Sequence, residues 1–236
     1  MAELIVAFDQ PTGRDALNLA DRLPGLSWAK VGPILYVREG PALVREFASR
    51  GVRVFLDLKW HDIPSTVAGA VSAARDLGVH LATVHCLGGG PMLEAAARAA
   101  GELPLVGVTV LTSLDASGLT SLLGRTVTDM SGEVGRLARM AATAGLRGVV
   151  AAGHEIAVAR RAFGPHPLAP SPAGRGGTPW IVVPGVRRPG DSAGDQSRTI
   201  APGVAVGAGA THLVVGRSIT HAPDPAAVYE EIRACL

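Results

Sequence analysis

The sequence predicts an α/β fold, a single-domain (β/α)₈ TIM barrel spanning residues 1–236, and three observations carry that expectation. Runs of apolar, β-branched residues alternate with Ala-, Leu- and Arg-rich segments of helical character, eight times over. The runs are apolar throughout rather than at every second residue, which is how strands covered on both faces read. At 47% hydrophobic and 18% charged, the chain can also bury one large core. Parallel strands joined by helices in eight such units close into a barrel. An open doubly wound sheet is the other arrangement of these units, but no Gly-x-Gly-x-x-Gly follows the first strand to support its dinucleotide-binding version.

Taken in order, the strands are expected at residues 4–9, 28–32, 52–59, 81–86, 104–111, 148–153, 180–185 and 212–216. Helices are expected after each, including 41–50, 64–77, 92–100, 133–144 and 226–234. Pro64 suits the first position of its helix, where the missing N–H costs nothing. One segment breaks the rhythm. Residues 164–178 hold four prolines and four glycines in fifteen positions, a composition that reads as a flexible surface insertion with no catalytic role.

Several classes of function are set aside by composition. A net charge of +2 without a clustered basic run gives no reason to expect a nucleic-acid partner. Cys86 and Cys235 are too few for a disulfide framework, no Cys/His spacing resembles a zinc site, and a reducing cytoplasm fits. The acidic start Met1-Ala2-Glu3-Leu4 is unlike a signal peptide, and no apolar stretch suggests a membrane span. The expectation is a soluble protein.

Of the 22 basic residues only Lys30 and Lys59 are lysines. Arginine is always charged and cannot give up a proton, whereas an ammonium is a compact point charge and a usable acid. Lysine retained in so arginine-rich a chain is therefore candidate chemistry. Lys59 lies in Asp57-Leu58-Lys59-Trp60-His61-Asp62-Ile63-Pro64, at the C-terminal end of the third strand, where a barrel keeps its active site. Asp57 and Lys59 are two apart, so on a regular strand both side chains point into the barrel mouth, with Asp62 following in the turn. Asp9, Lys30, His85, Thr112, Gly153 with His154, the Pro184 loop and Gly216-Arg217 stand at the other strand ends.

An ammonium between carboxylates stays protonated, because each neighbour favours its charged form. It is a poor base but a good electrostatic stabiliser and proton donor to a developing carbanion. A carboxylate beside it repels an anionic group on the substrate, so decarboxylation suits the arrangement. The bland alternative is a buried Asp57–Lys59 ion pair with Asp62 helping to cap the next helix. On the far side, Gly216-Arg217 ends strand 8 with an approachable backbone N–H and a guanidinium, and Pro184-Gly185-Val186-Arg187 opens a glycine-hinged loop that also contains Gln196. Together they read as a phosphate cradle under a lid, the usual use of the last two loops in this fold.

These residues carry a resemblance. Asp57-x-Lys59-x-x-Asp62-Ile63-Pro64, together with Ala7-Phe8-Asp9, Lys30-Val31-Gly32, Val110-Leu111-Thr112-Ser113, Pro184-Gly185-Val186-Arg187, Gly194-Asp195-Gln196 and Val215-Gly216-Arg217, resembles the orotidine 5'-phosphate decarboxylases in order along nearly the whole chain. The resemblance implies metal-free, cofactor-free conversion of orotidine 5'-monophosphate (OMP) to UMP, the last step of pyrimidine synthesis. It implies that Lys59 protonates C6 as CO₂ leaves, that Asp57 sits against the departing carboxylate, and that Lys30 completes the charged array and binds ribose with Asp9. It assigns Thr112 and Ser113 to the base, and Arg187, Gln196, Gly216 and Arg217 to the phosphate. It further implies a homodimer in which Asp62, with Ile63 and Thr66 nearby, enters the partner's site.

The chain departs from the family pattern at Arg188 and Ser218, where prolines are usual, at Phe8 for a leucine and at Ser65 for an asparagine; none removes a charge from the reaction centre. Two other readings stand beside this one. Phosphosugar barrel enzymes share the Asp-x-Lys-x-x-Asp block, some with Mg²⁺, but the Ile63-Pro64 continuation and Asp195-Gln196 argue against them. A catalytically silent nucleotide-binding barrel is the other. His61 and His85 border the site and read as structural histidines, and Cys86 as a small buried hydrophobe.

Overall fold

The computed structural model describes residues 1–164, 178–191 and 198–236. Eight parallel strands close into a barrel in sequence order: β1 (Glu3–Phe8), β2 (Trp28–Val31), β3 (Arg53–Trp60), β4 (Leu81–His85), β5 (Leu105–Val108), β6 (Gly148–Val150), β7 (Trp180–Val183) and β8 (His212–Val215). Closure is made by β1 against β8, from Glu3 beside His212 to Val6 beside Val215. Around the barrel run α1 (Gly13–Ala20), α2 (Pro33–Glu39), α3 (Pro41–Ser49), α4 (Pro64–Asp76), α5 (Gly89–Ala100), α6 (Ala116–Leu123), α7 (Met130–Thr143), α8 (Ile156–Phe163), α9 (Pro202–Gly207), α10 (Arg217–Thr220) and α11 (Pro225–Arg233). The expected single-domain barrel is the fold observed. The insertion expected at 164–178 and the phosphate contact expected from Gln196 fall on 165–177 and 192–197, outside the described residues.

Alternation along each strand sorts the side chains into two cores. Leu4, Val6 and Phe8 of β1, Ala29 and Val31 of β2, and Val54 and Leu56 of β3 face the helices. Ile5, Ala7, Trp28, Phe55, Leu81, Val106, Val182 and Val214 fill the barrel. The inward row of β2 therefore runs from Trp28 to Lys30, and that of β3 from Phe55 to Asp57. Apolar residues occupy the lower layers and charged ones the mouth.

Two strands end before their apolar runs do. β5 stops at Val108 and β6 at Val150, although the sequence suggests 111 and 153. Single backbone bonds continue the wall, from Thr109 N–H to the Val150 carbonyl at 3.2 Å and from Ala151 N–H to that of Val182 at 3.1 Å. Val110, Ala151 and Ala152 remain buried in loops, so apolarity persists where the ladder has ended.

The barrel floor is an aromatic plug. His212 lies 4.4 Å from the Trp180 ring and meets Trp28 edge-on at 5.9 Å. The Arg53 guanidinium covers Trp28 at 4.5 Å and is held by both oxygens of Glu3 at 3.1 and 2.9 Å. Burial, reinforced by Arg53 and Arg147 and opposed by Glu3, pushes the His212 imidazole down to about 4. The folded protein thus holds it neutral, while the unfolded chain takes up a proton below about pH 6.5. Its contribution is complete above that pH and is lost as pH falls toward 4. It reaches about 3 kcal/mol. Urea unfolding at pH 7 and pH 4.5 is expected to show a smaller loss for His212→Gln than for wild type; equal losses would show that His212 does not shape the acid limb.

Candidate active site

The mouth opens into a cavity of about 570 Å³, large enough for a nucleotide. Asp9, Lys30, Asp57, Lys59, Thr112, Ser113, Arg187, Gly216 and Arg217 all line it, as the sequence leads one to expect. Four of them form a line of alternating charge. Lys30 Nζ stands 3.3 Å from Asp9 Oδ1 and 3.7 Å from Asp57 Oδ2, and Lys59 Nζ donates to both Asp57 oxygens at 2.9 Å. Gly32 leaves room for this array, since a Cβ there would stand 3.0 Å from Lys30 Nζ.

Asp57 is 7% exposed, and burial alone would raise its carboxyl. The ammonium groups of Lys30 and Lys59, with hydrogen bonds from Lys59 and Thr83, outweigh that penalty and hold the carboxyl below its ordinary value. The result is a carboxylate fixed in its charged state inside the barrel.

The local backbone is not the regular strand that period-two spacing assumes. Pairing between β3 and β4 slips between Leu56 and Trp60, and Lys59 has φ +51, the one positive value among the described non-glycine residues. Thr83 of β4, fully buried, holds this irregularity. Its hydroxyl accepts the Lys59 N–H at 2.8 Å and donates to Asp57 Oδ1 at 3.0 Å. One side chain therefore fixes the lysine's backbone and the aspartate's carboxylate together, at a position where strain must be held by its surroundings. The sequence pattern missed Thr83 because a threonine inside an apolar strand looks like ordinary β propensity.

Asp62, Ile63 and Thr66 stand apart from the cavity. Asp62 accepts the Ile63 N–H at 2.6 Å and faces solvent, Ile63 is 63% exposed, and Thr66 is exposed in the first turn of α4. Within one chain, Asp62 does not join Asp57 and Lys59, so the ammonium expected between two carboxylates lies between Asp57 and open cavity.

At the other end, burial and the nearby Arg217 guanidinium lower the pKa of Arg187, with Asp191 opposing them. Two converging cations that raise each other's energy favour an anion between them. Arg188, which stands where the family pattern has proline, is tied to Asp191 at 3.2 Å and to Glu231 of α11 at 3.0 Å, anchoring this loop to the C-terminal helix.

Neither bordering histidine lines the cavity. His85 accepts the Leu87 N–H at 3.3 Å and stacks on His61 with ring centroids 5.5 Å apart. Burial, then His61 and Lys59, lowers its imidazole to about 4. Cys86 is fully buried, and burial pushes its thiol up to about 12. Among the described residues, no three His, Cys, Asp or Glu side chains are grouped to hold a metal ion, and no helix is long and apolar enough to cross a membrane.

A 46% identical protein of Halorhodospira halophila, an orotidine 5'-phosphate decarboxylase by name, aligns over 98% of this chain and 94% of its own length. One of Moorella thermoacetica with the same name is 43% identical, with 98% and 91% covered. The crystal structure of orotidine 5'-phosphate decarboxylase from Lactobacillus acidophilus superposes with a TM-score of 0.83 at 30% identity, covering 100% of this chain and 99% of that one. An uncharacterized conserved protein from Geobacillus kaustophilus has the same fold, with a TM-score of 0.79 at 30% identity over 98% and 99% of the two chains. The family model described as orotidine 5'-phosphate decarboxylase / HUMPS family matches residues 2–232. A charged array at the mouth of a barrel and sequence kinship along its whole length thus agree, and the chain belongs to the orotidine 5'-phosphate decarboxylase / HUMPS family.

Proposed function

We propose that this protein decarboxylates OMP to UMP in pyrimidine synthesis, without metal or cofactor, through a proton delivered by Lys59. The observation that carries this reading is Asp57, a buried carboxylate held ionised by two ammonium groups at the cavity's inner end. A substrate carboxylate placed against it is repelled, and the repulsion ends when the group leaves as neutral CO₂. The C6–carboxyl bond breaks, its electron pair remains on C6, and a proton from Lys59 Nζ forms the C6–H bond. Lys59 then regains a proton from solvent. Lys30 favours the ionised state of Asp57, and with Asp9, 3.3 Å away, it binds the ribose hydroxyls.

Thr112 and Ser113 meet the base, and Arg187, Gly216, Arg217 and Gln196 take the phosphate. The exposed Asp62, Ile63 and Thr66 belong to a dimer interface, from which Asp62 completes the array in the other subunit. What supports this is the distance of Asp62 from its own cavity and the exposure of Ile63 beside it. Cys86 and Cys235, both free thiols, suit a reducing cytoplasm.

The test follows the ultraviolet absorbance of OMP with purified protein in EDTA, beside Lys59→Ala. Wild type is expected to convert OMP fully, at a rate unchanged by EDTA, and Lys59→Ala to show no detectable conversion. A folded wild type that leaves OMP untouched refutes the proposal; turnover of a phosphosugar with Mg²⁺, or tight UMP binding without chemistry, would then identify what replaces it.

A further inference from the structure

Behind the cavity wall lies a buried ion pair that the chemistry above does not use. Glu155 ends the 3₁₀ turn Gly153–Glu155 after β6 and is 3% exposed. Arg198 Nη1 donates to Glu155 Oε1 at 2.6 Å. Its Nη2 reaches the Leu111 carbonyl at 3.1 Å and the Val110 carbonyl at 3.4 Å. Those two carbonyls immediately precede Thr112 and Ser113.

Two residues further on, Ile200 holds the loop that carries Arg187. The Arg187 N–H donates to the Ile200 carbonyl at 3.0 Å, the Ile200 N–H donates to the Gly185 carbonyl at 3.3 Å, and Val186 bridges Ile200 in parallel. Ile200 also packs on the turn bearing Glu155, closely enough that a Cβ at Gly153 would overlap it. The short stretch 198–200 thus grips the phosphate end through its backbone and the base end through a side chain.

The pair is not arranged for stability alone. Among the described residues, Glu155 Oε2 and Arg198 Nε are both buried with no hydrogen-bond partner, although a bidentate pairing would have satisfied more of the two groups. The guanidinium is instead spread over three acceptors on two loops. A planar fork can span them and an ammonium cannot.

We propose that Arg198, held by Glu155, is a positioning residue that couples occupancy of the phosphate end to the placement of the base-contacting segment Thr112–Ser113. The inference rests on the decarboxylase reading and its assignment of the two ends. An anion at Arg187 and Arg217 fixes residues 185–187, their pairing with Ile200 fixes the stretch that follows Arg198, and Arg198 passes that order to the Val110 and Leu111 carbonyls. Without the link, the two ends of the nucleotide are gripped independently.

The experiment compares kcat/KM for OMP and for orotidine, the same molecule without its phosphate, in wild type, Arg198→Ala and Arg198→Lys. Binding of UMP and uridine is measured alongside, so that coupling is read without turnover. Arg198→Ala is expected to lose about tenfold more on the nucleotide than on the nucleoside, within the usual range of site-to-site coupling. Arg198→Lys keeps a charge for Glu155 but cannot span the carbonyls, so it is expected to show the same excess loss with a near-normal melting temperature; it decides the matter if the alanine protein does not fold. Equal losses on nucleotide and nucleoside in both assays would overturn the coupling and leave Arg198 a structural residue. A wild type inert toward OMP would instead sink the decarboxylase reading.

Discussion

A Lys59→Arg protein is expected to bind UMP nearly as well as wild type and to decarboxylate OMP about 10⁴-fold more slowly, the upper end of what a positioned acid contributes. The substitution preserves the positive charge, and Asp57 keeps a cation beside it. What disappears is the ability to part with a proton, since a guanidinium does not deprotonate in proteins. Geometry adds to the loss. Lys59 Nζ sits equally close to both Asp57 oxygens from a backbone in the left-handed region, and a planar fork on the same backbone cannot put one proton at the same point. Single-turnover kinetics with titration of UMP separates the chemical step from binding. Near-normal turnover would remove Lys59 from the role of proton donor.

The second large effect is a recovery. Lys59→Ala and Asp62→Ala proteins are each expected to be almost inactive, and mixing them under conditions of subunit exchange is expected to restore about a quarter of wild-type activity. In a mixed dimer one site collects both defects and the other neither. Random exchange makes half the dimers mixed, so about one site in four is whole. This follows only if Asp62 serves its partner's cavity. No recovery, with exchange proven by tagged subunits, would confine Asp62 to its own chain, where it accepts the Ile63 N–H.

Much of this was legible in the chain because two strong signals coincide. Apolar strand runs marked the barrel, and an arginine-rich composition with two lysines marked the candidate site, which the cavity contains. Of the residues read at the strand ends, Asp9, Lys30, Asp57, Lys59, Thr112, Pro184, Gly216 and Arg217 line the cavity, whereas His85, Gly153 and His154 do not, nor do Asp62, Ile63 and Thr66. Other features were hidden for physical reasons. The slip in pairing at β3 depends on Thr83, which is distant in sequence and unremarkable in composition. Glu155 and Arg198 carry no motif, because a partnership across 43 residues is made by the closure of the barrel and not by spacing. The premature ends of β5 and β6 escaped because a buried loop and a buried strand have the same hydrophobicity.

The plugged floor has a consequence for traffic. Trp28, Trp180 and His212 close the barrel from below, so its mouth is the common doorway for everything that comes and goes. On the proposed chemistry, CO₂ set free beside Asp57 would start its exit from the blind end of the cavity. Both products would then have to share one exit, which ties the order of their departure to the architecture of the barrel.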